Sequence, residues 1–128
     1  MFHIYVKTYI ITSLVKPDSL FSILSDLTRL RTLMLIQAEG EVCVCELTFT
    51  LNESQPKISR HLALMREMGI VESRREGTWM HYRINHSLPD WSKEIIRQVS
   101  DHLGGLSPYS DDRKQLAKMT NRPERKRA

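Results

Sequence analysis

The hydrophobic pattern changes period at Gly69, and that change limits the fold more than any other feature of this 128-residue sequence. Before it, Ile58, Leu62 and Met65 recur at the spacing of one helix face. After it, Ile70 and Val71, then Met80, Tyr82 and Ile84, read as two strands. Arg75, Glu76, Gly77 and Thr78 form the turn between them. The chain therefore holds a helix that leads directly into a β-hairpin.

The segments on either side are helical. Leu20, Ile23, Leu24 and Leu27 follow the i, i+3, i+4, i+7 rule after Pro17 and Asp18. Asp26 is placed to cap a second helix through Leu30, Leu33 and Met34, with Gly40 as its C-terminal stop. A short helix is expected over Val44 to Leu51, ended by the polar Asn52 and Glu53. Ser54 then caps the next helix, with Pro56 in its first turn, where a missing N–H costs little. Pro89 opens a last helix in which Trp91, Ile95, Val99 and Leu103 share one face, and Gly104, Gly105 and Pro108 end it. The predicted fold class is mainly α with a small β-hairpin. A short helix, a turn and a longer helix make a helix-turn-helix, and the hairpin is its wing.

The length fits one domain, and 41% hydrophobic with 27% charged residues excludes a disordered or fibrous chain. Residues 18–105 are expected to form the winged helix-turn-helix unit, after an N-terminal extension over residues 1–17. Part of the net charge of +4 sits in a C-terminal tail over residues 106–128, where from position 113 onward Arg113, Lys114, Lys118, Arg122, Arg125, Lys126 and Arg127 face one acid, Glu124. That composition reads as a flexible basic tail. The apolar run Tyr9 to Val15 contains Thr12 and Ser13 and is too short to span a bilayer. No small-residue cleavage site follows it, so a cytoplasmic protein without a membrane partner is expected. A disulfide between Cys43 and Cys45, two positions apart, would be strained, so free thiols are expected.

A helix that enters the major groove needs small polar and basic side chains near its N-terminus, with its apolar face held by the core. Ser54, Gln55, Lys57, Ser59, Arg60 and His61 supply these, intercalated with Ile58 and Leu62. Gln55 suits an adenine and Arg60 a guanine, whereas Lys57 and His61 suit phosphates. On one helix alone such a face is commonly just solvated. The hairpin that follows adds Arg74 and Arg75, with His81 and Arg83, and points to double-stranded DNA as the partner. Trp79 and Tyr82 read as packing residues rather than base-stacking ones.

The stretch Glu41-Val-Cys-Val-Cys-Glu-Leu47, followed by Ser54-Gln-Pro-Lys-Ile-Ser-Arg-His-Leu-Ala-Leu-Met65, resembles the arsenical-resistance operon repressors of the ArsR family. Ser25-Asp-Leu-Thr-Arg-Leu30 and Gly77-Thr-Trp-Met-His-Tyr-Arg83 agree with the same family's first helix junction and wing. The resemblance implies a homodimeric winged-helix repressor that leaves its operator when As(III) or Sb(III) is bound. Its first and last helices would form the dimer interface. By the same resemblance Cys43 and Cys45 are the metalloid ligands, without an organic cofactor. The family's third cysteine position holds Thr48 here, and a neutral hydroxyl is a poor ligand for a soft ion.

Positions i and i+2 lie on nearly opposite sides of a helix, so two such cysteines share one atom only if the first lies in an extended segment. On spacing alone the pair also fits two small buried side chains. Within the same fold the alternative effectors are Cd(II) and Zn(II), for which the last helix offers Asp90, Glu94, Asp101 and His102. No Gly-rich phosphate loop, C-x-x-C or nucleophile elbow is present, which leaves an enzyme without a motif.

Overall fold

Asp26, Gly40 and Ser54 each end or begin a helix as their chemistry requires. The computed structural model describes residues 15–125. It holds α1 (Pro17–Leu24), α2 (Leu27–Glu39), β1 (Val42–Cys43), α3 (Val44–Leu51) and α4 (Gln55–Glu67), followed by β2 (Val71–Glu76), β3 (Trp79–Ile84), α5 (Asp90–Leu103) and α6 (Tyr109–Ala117). The Asp26 carboxylate accepts from the Arg29 N–H at 3.0 Å, and Ser54 Oγ from the Lys57 N–H at 3.4 Å. Gly40 closes α2 at φ 86°, a conformation open to glycine, and donates to the Ile36 carbonyl at 2.8 Å.

The sheet has the order β1-β3-β2, all antiparallel, with Val42 opposite Tyr82 and Cys43 opposite His81. Glu76 pairs with Trp79, so the hairpin turn is the two residues Gly77 and Thr78, tighter than the four expected. Gly77 at φ 61° permits that tight connection. Leu33, Leu47, Ile58, Leu62, Met65 and Ile96 are fully buried and join α2, α3, α4 and α5 in one core. The architecture is the winged helix-turn-helix, with α3 and α4 as the two helices and β2–β3 as the wing.

Three features differ from expectation. Val42 and Cys43 form a third strand too short for its pattern to register. In α5 the fully buried residues are Ser92 and Ile96; Trp91 is 38% exposed, while Ile95, Val99 and Leu103 are half-buried. The basic tail is corrected over residues 109–117, which form α6 against the core. Leu116 is buried there, and the buried Asp112 carboxylate receives Arg31 Nε and Nη2 at 2.9 and 2.7 Å. That partner lies 81 positions away, which a count of local charges does not show. Of the N-terminal extension, residues 1–14 lie outside the described residues; Val15 packs into the core. Among the described residues, no helix is long and apolar enough to cross a membrane.

Candidate nucleic-acid interface and cysteine site

Ile58 and Leu62 anchor α4 to the core, and this fixes which of its side chains face outward. Ser54, Gln55 and Arg60 are exposed around its N-terminal turns, with Ser59 half-buried between them. Gln55 Nε2 donates to Ser59 Oγ at 2.8 Å, so the amide is already oriented across one helical turn. Lys57 Nζ pairs with Glu53 at 3.1 Å, a half-exposed contact that a phosphate can replace. His61 is half-buried; burial holds its imidazole below the ordinary value, against the pull of Asp26.

The wing separates two arginines that the sequence put together. Arg75 is exposed and available to a polyanion. Arg74 is not: its side chain is 7% exposed and donates to Glu41 at 2.6 and 2.8 Å and to Glu76 at 2.6 Å. Its place among the DNA-contacting residues is therefore corrected. Glu41, 33 positions earlier, draws the guanidinium inward. Bonding to Glu41 raises its pKa, so it stays charged and engaged.

The cysteine segment meets the geometric condition for two side chains to converge. Cys43 ends β1 and caps α3 in an extended conformation, φ −97° and ψ 164°, while Cys45 lies in the first turn of α3. Their Cα atoms are 5.4 Å apart, within the range that disulfides span, and the two sulfurs are bonded at 2.14 Å. This corrects the expectation of free thiols, which rested on the short separation of the two residues: with Cys43 extended and Cys45 helical, the side chains converge. Thr48 lies one turn on, its hydroxyl donating to the Cys45 carbonyl at 3.0 Å. Among the described residues no group of three His, Cys, Asp or Glu side chains is placed to hold a metal ion.

The pair opens on a cleft of about 360 Å³ whose other walls include Thr48, Gln55, Ser59 and Trp79. One wall of this space is the cysteine segment, another the start of α4, and a third the wing. Behind the pair lies a cluster the sequence analysis missed. Glu46 has no exposed surface, and its Oε1 accepts from the Cys43 N–H at 2.7 Å, while the Glu46 N–H donates to Cys43 Sγ at 3.4 Å. Burial pushes the Glu46 carboxyl up, but Arg125, the Cys43 N–H and Arg122 outweigh it and hold the group below its ordinary range. The spacing of a cap residue and a glutamate three positions later was the available signal, hidden because cysteine stood where serine or threonine usually does.

Residues 26–73 match the family described as bacterial regulatory protein, arsR family. The chain is 48% identical over 109 residues to the arsenic resistance transcriptional regulator ArsR1 of Pseudomonas putida, covering 84% of this chain and 83% of that one. It is 50% identical over 87 residues to the arsenical resistance operon repressor of Escherichia coli, covering 68% and 74%. Among solved structures, HlyU from Vibrio cholerae superposes with a TM-score of 0.60 at 27% identity, covering 67% of this chain and 89% of that one. With a winged helix-turn-helix fold and relatives at this identity, the chain belongs to the arsR family of bacterial regulatory proteins, as a DNA-binding transcriptional repressor and not an enzyme.

Proposed function

We propose that this protein is a cytoplasmic, homodimeric repressor that binds operator DNA and is released when reduced Cys43 and Cys45 coordinate As(III) or Sb(III). The observation that carries the reading is the cleft: the two sulfurs and the base-reading candidates Gln55 and Ser59 line the same space. Reduction leaves two soft donors on one side of the chain, which fits an ion that prefers thiolates. The third coordination position falls to a group from outside the chain, because Thr48 offers only a hydroxyl already bonded to a backbone carbonyl.

Release follows from differential binding to two states. A conformation of residues 43–48 that suits the bound metalloid alters the wall on which Gln55 and Ser59 stand. The Gln55–Ser59 hydrogen bond and the position of Trp79 are the contacts that transmit the change. On the DNA side, Ser54, Gln55, Ser59 and Arg60 read bases or the adjacent backbone, and Lys57, His61 and Arg75 hold phosphates. The relatives named for arsenic and arsenical resistance support the metalloid class.

Nothing favours Cd(II) or Zn(II) at α5 in the same way. Arg97 already binds Glu94 and Asp101, and among the described residues no group of three acids, cysteines or histidines is placed there to hold a metal ion. The experiment is fluorescence anisotropy of labelled operator with the chain reduced by a phosphine, titrated separately with As(III), Sb(III), Cd(II) and Zn(II). Release at the lowest concentrations by As(III) or Sb(III) is expected. Release by Cd(II) or Zn(II) alone would refute the metalloid assignment.

A further inference from the structure

We propose that Arg122 and Arg125 are positioning residues for the Cys43–Cys45 pair, forming a C-terminal latch that acts through Glu46. The inference rests on reading the cysteines as the effector site. Both oxygens of Glu46 are held by the chain's last described residues. Arg122 Nε donates to Oε2 at 2.6 Å, Arg125 Nη1 donates to Oε2 at 3.1 Å, and Arg125 Nη2 donates to Oε1. The same arginines reach the neighbouring acids, Arg122 to Glu39 at 2.9 Å and Arg125 to Glu41 at 3.2 Å. A segment 76 to 84 positions later thus pins the stretch that carries β1 and Cys43.

The consequence for the sulfurs follows from the backbone. Oε1 of Glu46 also accepts from the Cys43 N–H, which stops α3 at Val44 and keeps Cys43 extended. Were α3 to gain one more turn, positions 43 and 45 would point to nearly opposite sides and the sulfurs would part. A buried carboxylate stripped of its cations is strongly destabilised, so without the latch Glu46 turns out toward water and gives up the cap. No regular element lies between Ala117, at the end of α6, and Arg122; Met119 packs on the core, and beyond it these ion pairs hold the arm in place. Arg125 Nη2 also lies 3.3 Å from His81 Nδ1 on β3, which connects the arm to the wing.

The test compares the full chain with Arg122→Ala/Arg125→Ala and with Arg122→Lys/Arg125→Lys. Three quantities are read: operator affinity without metalloid, the As(III) midpoint for operator release, and the equilibrium of the Cys43–Cys45 bond with dithiothreitol. In that exchange two electrons and two protons pass from the reagent to the protein disulfide. The alanine variant is expected to close the ring about tenfold less favourably and to need about tenfold more As(III), with operator affinity within about twofold of the unaltered chain. The lysine variant restores part of both losses. Arg125→Gln, a milder change, shifts both in the same direction and serves if the double variant does not fold. Unchanged ring closure in these variants overturns the latch, and so does a loss of operator affinity in proportion, which marks the arm as merely structural. If the unaltered chain ignores As(III), the proposed function fails, and the dithiothreitol equilibrium still decides the latch.

Discussion

Gln55 and Arg60 stand exposed beside a fully buried Ile58, and this contrast gives α4 an outward polar face, the one proposed to read DNA. Replacing either by Ala is expected to relax sequence preference at a cost of about 1–3 kcal/mol if the contact is bidentate, measured by competition among operator variants. The two wing arginines separate by environment rather than by type. Arg75→Ala should weaken binding to every sequence and reduce the salt slope by about one unit. Arg74→Ala should leave that slope unchanged and lower thermal stability instead, because it removes the two-pronged partner of the Glu41 carboxylate beside β1 and leaves Arg125 alone on it. A reduced salt slope for Arg74→Ala would return that residue to the DNA surface.

At the scale of elements, α4 depends on its inner stripe more than on its propensity. Ile58→Ala should cost about 2–5 kcal/mol in urea unfolding, since the site is closed on all sides by core residues. A cost well under about 1 kcal/mol would mean that the stripe was misplaced. Elements with their own punctuation were legible in the sequence: α2 from Asp26 and Gly40, α4 from Ser54 and Pro56, the wing from its change of period. Those that depend on distant partners were not. α6 is held by one fully buried leucine, by Tyr109 packed against the core and by an aspartate paired with Arg31, and none of these makes a periodic signal. β1 has two residues and exists because β3 offers it an open edge. The candidate site was legible as a list of residues but not as a cleft, and the engagement of Arg74 and Glu46 with distant charges was invisible to a local reading.

For the whole molecule, Phe21, Leu27 and Trp91 remain 53%, 58% and 38% exposed on α1, at the start of α2 and on α5. A second copy covering these helices is the expected occupant, and sedimentation should give a dimer at micromolar concentration; a monomer bound to operator would contradict it. The fold should also lose stability in acid. Burial raises the carboxyls of Glu41 and Glu46, but Arg74 and Arg125 with their neighbours hold both below 4.5. Such groups contribute stability above that value and lose it as pH falls through the lower folded one. His81, held below 6.5 by burial and then by Arg74, acts in the same direction, its neutral form favouring the fold above 6.5. The melting temperature should therefore decline from about pH 7 to about pH 4, and a flat profile would refute these assignments.

The proposed release of operator depends on two sulfurs in one cleft. The measurement is anisotropy of labelled operator against As(III) for the reduced chain and for Cys43→Ser, Cys45→Ser and Thr48→Cys. Both serine variants should bind operator and fail to release it, because a protonated hydroxyl does not replace a thiolate for a soft ion. Thr48→Cys should release at lower As(III), since Thr48 borders the same cleft and a third sulfur there completes the ligand set. Release by both serine variants at the unaltered concentration would contradict the account, leaving a winged-helix repressor whose effector binds elsewhere.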